Sequence, residues 1–288
     1  MKNICATCDK LVVDKVVKSD HNKTPEWLEK VDYVMDFIHS KKMECYEQKD
    51  TDYKMTIEMG KKNANKKILY WAANPLKKTD NPLKIKNAKE AYVGKELNRN
   101  SFSNYGIGNS DENGKVIVKL KCPQPYWTKE KNKSKNESYY RHVHLSCENK
   151  SKKSWDDDIY TMVTIYPMSV KEMLIEHKKE NIVLINALPC EYYAKEHIPN
   201  SFNLPVKTVK KMNEKELLEW FKDVIYKNYP KIKRAIITGN LNLYEIPIVV
   251  YCAHKDCNAG HNCATELMKK QFINVRDYKG GMKEFNTL

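Results

Sequence analysis

The stretch "VVYCAHKDCNAGHNCATELMKK", Val249 to Lys270, gathers Cys252, Cys257 and Cys263 with His254 and His261. A thiol acts as a nucleophile or a metal ligand through its thiolate, which positive potential and hydrogen-bond donors favour. The surrounding sequence supplies both. "PIVVY", Pro247 to Tyr251, reads as a buried strand, and Cys252 follows at its carboxyl end, the edge at which open α/β sheets bind ligands. A helix predicted to begin at Asn262 or Cys263 turns its unbonded N–H groups and the positive end of its dipole toward the loop. Such a cradle suits a thiolate, a persulfide, a thiosulfate or another oxyanion. Cys252 is the candidate nucleophile by strand position and Cys257 its rival. His254, Lys255, Gly260 and His261 are the candidates for holding the anion. With both thiols free, one can attack a persulfide on the other, releasing sulfide and leaving a disulfide. Cys263, one turn into the helix, reads as a packing residue. Cys252, Cys257, His261 and Cys263 suit zinc by ligand type, but their spacing fits no common zinc pattern.

A second set lies in the first half. "YYRHVHLSC" puts His142 and His144 two apart on a predicted strand, hence on one face. Tyr92 in "NAKEAYVG" and Tyr126 in "CPQPYW" are tyrosines framed by turn residues. Two phenolates and two imidazoles make a hard, anionic N/O set that suits ferric iron, Fe(III). "CATC" at Cys5 and Cys8 has no second pair and reads as a flexible terminal dithiol.

The elements that must position these groups fall into three segments. Residues 1–60 read as a helical N-terminal extension: in "TPEWLEKVDYVMDFIHSKKM", Thr24 is a predicted N-cap, Pro25 stands in the first turn, and Trp27, Leu28, Val31, Val34, Met35 and Ile38 recur at helical spacing. Residues 61–165 read as a small all-β unit, with strands at "KKILYWAANP" and "GKVIVKLKCP" separated by the polar "NSFSNYGIGNSDENG". "KEKNKSKNES" and "CENKSKKSWDDD" read as solvated loops. After a break near Pro167 the grammar changes: across residues 168–288, short apolar strands ("IVLINA", "PIVVYC", "INVRDY") alternate with amphipathic helices. That is the pattern of a parallel sheet covered on both faces, so this half is α/β.

Whole-chain properties narrow the function classes. The 288 residues are 41% hydrophobic with no membrane-length apolar run, which predicts a globular protein off the membrane. The start, "MKNICATCDK", lacks the apolar core of a secretory leader, which predicts an intracellular, cytoplasmic setting. Nine irregularly spaced cysteines argue against a disulfide framework. The formal charge of +14 comes mostly from dispersed Lys. Without a clustered Arg and aromatic patch it predicts no dedicated nucleic-acid partner. Composition does not give the oligomeric state.

Residues 168–288 resemble the rhodanese family. The family's first signature stands as "IVLINALPCEYYAKEHIPNSFNLP", including Glu191, Tyr192, His197, Ile198 and Pro199. The cysteine strand, its helix and "NVRDYKGGMKEF" follow in the family's order. The resemblance implies a rhodanese fold and sulfurtransferase activity, in which a cysteine persulfide passes sulfane sulfur from a small donor to a thiol acceptor. The family's usual Asp and Arg are Asn186 and Leu188 here. A related phosphatase chemistry on this fold needs an arginine after Cys plus five residues. Counted from Cys252 that place holds Asn258, and from Cys257 it holds Cys263. Phosphatase activity is therefore disfavoured. Residues 68–146 resemble the intradiol ring-cleavage dioxygenases in "YWAANP", Tyr92, "YGIGNSDENGKVIVKLKCPQPYW" and "YYRHVHL". This resemblance implies a β-sandwich holding non-haem ferric iron with Tyr92, Tyr126, His142 and His144. Three readings follow: a sulfurtransferase with a fused β domain, a ferric dioxygenase with a rhodanese-type appendage, and a non-catalytic binding or structural protein built from both modules.

Overall fold

A computed structural model describes residues 12–18, 46–94, 102–128 and 137–288. The helix expected from Thr24 onward and the Cys5/Cys8 pair lie outside them. The chain divides into two compact units, Met1–Lys78 with Lys86–Thr164, and Ile165–Leu288 with Thr79–Ile85. Among the described residues no helix is long and apolar enough to cross a membrane.

In the first unit, β1 (Val16–Lys18), β10 (Ser154–Val163), β9 (His142–Asn149), β3 (Lys67–Trp71) and β5 (Tyr105–Asn109) pair in that order as an antiparallel sheet. β2 (Tyr53–Glu58) and β6 (Lys115–Leu120) form a separate antiparallel pair. Side chains alternate across a strand, so the sheet has two apolar faces. Ile68, Tyr70, Val143, Leu145 and Cys147 pack with Ile57, Val116 and Val118 of the β2–β6 pair. Leu69 and Trp71 face the other way, toward α1 (Ala88–Val93) and a three-stranded sheet of β4 (Lys86–Asn87), β7 (Tyr126–Thr128) and β8 (Glu137–Tyr139).

Three expectations change here. The described parts of 1–60 contain strands β1 and β2, because each completes the hydrogen bonding of a partner strand that residues 61–165 supply. The supposed loop "CENKSKKSWDDD" runs from the end of β9 into β10. Its three aspartates sit where the pairing shifts register between Trp155 and Ile159, and Asp157 and Asp158 are held by Lys152 and Lys18. The polar run before β6 contains β5, whose two glycines hide the strand pattern from a reading of side chains.

In the second unit, β12 (Phe202–Asn203), β11 (Val183–Asn186), β13 (Ile248–Tyr251) and β14 (Val275–Tyr278) form a parallel sheet in that order. Nearly every residue of β11 and β13 is buried, as a sheet covered on both faces requires. α2 (Val170–Lys178) starts at Ser169, whose hydroxyl accepts the Glu172 N–H. It buries Met173 in a cluster with Leu184, Val249, Tyr251 and Tyr278. α3 (Cys190–Lys195) and α4 (Val206–Lys211) flank β12 in sequence. α5 (Glu214–Asn228) opens on a capping box of Asn213 and Glu216, and α6 (Pro230–Ile237) on a proline in its first turn. α7 (Ala259–Lys269) packs on β13, β14 and α4, and α8 (Gly281–Phe285) follows β14.

Candidate functional site

The cysteine loop joins β13 to α7. The helix begins at Ala259, with Asn258 as N-cap, three or four residues before the predicted start at Asn262 or Cys263. No side chain caps it, so its first N–H groups remain for the loop. Two of them go to sulfur: the Gly260 N–H donates to Cys252 Sγ and the Ala259 N–H to Cys257 Sγ, which also receives the Ala253 N–H. Cys252 is 2% exposed, and its S–H faces the Cys257 carbonyl oxygen at 3.1 Å and bonds the Cys257 sulfur. Cys257 is half-buried, between the exposed run His254, Lys255 and Asp256 and the exposed Asn258. Gly260 is buried and His261 half-buried in the first turn of α7. Cys263 is fully buried with its S–H toward the Leu204 carbonyl, as a packing residue would be.

These surroundings separate the two thiols. Burial pushes Cys252 far up, and its contact with Cys257 adds to that, outweighing the Gly260 N–H. Partial burial also pushes Cys257 up, but the Cys252 S–H and the Ala259 and Ala253 N–H groups together carry it below its ordinary value. The loop thus holds Cys252 as a thiol and favours the thiolate form of Cys257.

The loop is braced from below. The Met282 N–H donates to the Cys252 carbonyl at 3.0 Å and the Lys283 N–H to the Ala253 carbonyl at 2.9 Å. Gly281 makes the crossing possible. Its φ is +60°, and a Cβ there would strike the Cys252 carbonyl oxygen and lie 2.8 Å from the Ala253 carbonyl carbon. At the neighbouring strand end, Asn186 is fully buried and its side-chain oxygen accepts the Leu188 N–H at 2.9 Å. A neutral amide thus closes this turn. His197 is exposed, its ring stacked on Tyr193 and its Nδ1 2.9 Å from the Tyr193 carbonyl, a turn-closing role.

The sequence reading passed over Asp277, near the end of β14 and only 3% exposed. Burial pushes its carboxyl up to about 6, against the downward pull of Lys279 and His261. Asp277 falls within the predicted strand "INVRDY"; the strand register, with Asp277 opposite Val250, turns its side chain inward.

In the first unit the four candidate ligands come together. His142 and His144 share the face of β9 opposite Val143 and Leu145. His142 Nε2 lies 3.1 Å from the Tyr126 hydroxyl and 3.0 Å from His144 Nε2, and the Tyr126 and Tyr92 hydroxyls bond each other. Tyr92 stands on α1, where Asn87 caps the helix. His142 Nδ1 is 2.7 Å from the Tyr140 carbonyl, which can only accept, so the Nδ1 proton is placed and Nε2 presents its lone pair inward. That single lone pair faces both the Tyr126 hydroxyl and His144 Nε2. His144 Nδ1 is anchored by the Thr161 hydroxyl at 2.9 Å.

Anchored outer nitrogens and converging inner ones are the arrangement of metal-binding imidazoles. Two ligands at roughly 2.1 Å from one ion and about a right angle apart are about 3 Å from each other, the separation found here. Burial holds the Tyr92 phenol strongly protonated, so a cation would have to displace that proton. Among the described residues no three His, Cys, Asp or Glu side chains are grouped to hold a metal. This cluster reaches four donors through its phenols, and its donor set fits a ferric ion.

Comparison with known proteins bears on the second unit. The model of the rhodanese-like domain family matches residues 169–288, less than half of the chain, and these residues are a rhodanese-like domain. Among solved structures, a human single-domain sulfurtransferase is 18% identical, covering 42% of this chain and 95% of its own, with a TM-score of 0.32. A Bacillus halodurans protein is 24% identical, covering 42% and 72%, with a TM-score of 0.29. An uncharacterised Saccharomyces cerevisiae protein is 22% identical, covering 43% and 92%, with a TM-score of 0.30. No curated protein matches the chain.

Proposed function

We propose that the rhodanese-like domain at residues 169–288 transfers sulfane sulfur through a persulfide on Cys257, with Cys252 as the buried thiol that donates a hydrogen bond to it. The observation that carries this reading is the opposite perturbation of the two thiols by one loop, Cys257 lowered and Cys252 raised. The sequence favoured Cys252 by strand position; burial and hydrogen bonding favour its rival. In the step itself, the Cys257 thiolate attacks the outer sulfur of a donor R–S–SH. The new Sγ–S bond forms as the donor S–S bond breaks, and the electron pair leaves with the thiolate R–S⁻. A thiol acceptor later takes the same sulfur from Cys257. His254 and Lys255, exposed beside Cys257, are the groups available to meet an incoming anion.

The test is intact mass and peptide mapping of the reduced protein after incubation with thiosulfate and, separately, with an alkyl persulfide. One added sulfur on Cys257, lost in Cys257→Ser and kept in Cys252→Ala, is the expected result. Sulfur on Cys252 would reverse the assignment. No sulfur on any cysteine would turn the domain into a binding module.

One observation favours a second reading for the first unit: the convergence of Tyr92, Tyr126, His142 and His144. In that reading these residues hold ferric iron in a β-sandwich of the intradiol dioxygenase kind, and the ion supplies Lewis acidity and redox chemistry when bound. The chain's own contribution is orientation: Tyr140 and Thr161 fix the two rings, and burial excludes water from the phenols. Ferric iron added as a soluble chelate should produce a visible tyrosinate absorption, lost in Tyr126→Phe. A colourless protein would remove this reading.

A further inference from the structure

Asp277 is a buried carboxyl beside the cysteine loop that neither the fold nor the step above requires. Its position is set by Gly260. A Cβ on Gly260 would lie 2.9 Å from Asp277 Oδ1 and 3.6 Å from Cys252 Sγ, so carboxyl and thiol border the same small space, within direct or one-water reach of each other.

The groups that face it come from every element around it. The loop brings Cys252 and Cys257, α7 brings His261 and Cys263, and Lys279 follows it in the chain. On its far side lies the segment with Tyr166, whose carbonyl accepts the Asp277 N–H, and Met168, whose N–H donates to the Asp277 carbonyl. Burial keeps the carboxyl partly protonated near pH 6. It is therefore neutral in mild acid and a buried anion at neutral pH.

We propose that Asp277 selects the charge of the compound that reacts with Cys257, turning away anionic reagents when ionised and admitting neutral ones. For sulfur donors, and resting on the sulfur-transfer reading above, this favours an alkyl persulfide, which carries at most one charge on its sulfurs, over the dianion thiosulfate. An unscreened carboxylate a few ångströms away changes the rate by about tenfold for each unit of donor charge.

The experiment does not need sulfur transfer. Cys257 in the full chain is alkylated with neutral iodoacetamide and with anionic iodoacetate from pH 5 to 8, and the modified peptide is quantified by mass. The ratio of the two rates cancels the thiolate fraction, which enters both equally. The expected ratio of iodoacetamide to iodoacetate rises about tenfold as pH passes up through 6, and stays flat in Asp277→Asn. An ordinary imidazole titrates in the same range, so His261→Gln is measured beside it and should keep the rise. A flat ratio in the unmodified protein overturns the proposal even if Asp277→Asn fails to fold. A rise that survives in Asp277→Asn and disappears in His261→Gln also overturns it. Selection in alkylation without sulfur loading from either donor would remove the sulfur-transfer reading and leave the role of Asp277 standing.

Discussion

At the cysteine loop the groups that hold the two sulfurs are the backbone N–H groups of Ala253, Ala259 and Gly260, all within eight residues of the sulfurs they serve. At the tyrosine and histidine cluster they are side chains, brought from α1, β7 and β9 and fixed by a carbonyl at Tyr140 and a hydroxyl at Thr161. The difference is one of what each site depends on. The loop depends on main-chain path, so it can keep its geometry with Asn186 and Leu188 in place of charged residues. The cluster depends on four side-chain identities and on strand register, and a one-residue slip of β9 would turn both imidazoles away.

The largest effect should come from breaking the path of the loop. Gly281→Val forces a β-branched residue to φ +60° against the Cys252 carbonyl. It should cost about 4 kcal/mol in urea unfolding and slow Cys257 alkylation. Asp277→Asn acts in the other direction. Its carboxyl keeps a proton to about pH 6 when folded and loses it near 3.8 when unfolded. The folded state thus binds more protons between those values, and stability falls as pH rises through them. Removing the charge should stabilise the protein by about 3 kcal/mol at pH 7, with little gain below pH 4. Unfolding midpoints at the two pH values check both sign and window.

A smaller loss should follow in the cluster. His142→Leu leaves the Tyr140 carbonyl, the Tyr126 hydroxyl and His144 without their shared partner, a cost of about 1 to 2 kcal/mol without metal. Ferric chelate should stabilise the unmodified protein and not this variant; equal shifts in both would break the parallel drawn between the two sites. The smallest change is electronic. Cys252→Ala removes a hydrogen-bond donor from the Cys257 sulfur, so the midpoint of Cys257 alkylation against pH should move upward with the fold intact. An unmoved midpoint would mean the backbone N–H groups alone lower Cys257.

What the sequence made legible follows the same division. "PIVVYC", the loop and its helix are contiguous, and apolar runs between turn residues suffice to place a thiol at the end of a parallel strand. The helix start shifted by three or four residues because Asn258 to Gly260 are small or polar residues that carry no amphipathic signal. Asp277 was invisible because its burial depends on β14 pairing with β13, a contact between distant segments. The His142 and His144 pair was legible from its spacing, but that Tyr92 and Tyr126 join it was legible only through resemblance, since nothing in "NAKEAYVG" says that it will meet "YYRHVHL". β1 and the aspartate-rich start of β10 were missed for a related reason: each is a strand through its partner and not through its own composition.

The bonds from Met282 and Lys283 to the carbonyls of Cys252 and Ala253 have a consequence for how the loop comes into being. A ribosome adds both thiols of the loop well before it adds the residues that brace them. During that interval the nascent chain carries Cys252 and Cys257 on a segment whose path is not yet fixed, and neither sulfur is assured of its N–H donors. The difference between an inert thiol and a poised one is thus acquired only when α8 folds beneath the loop.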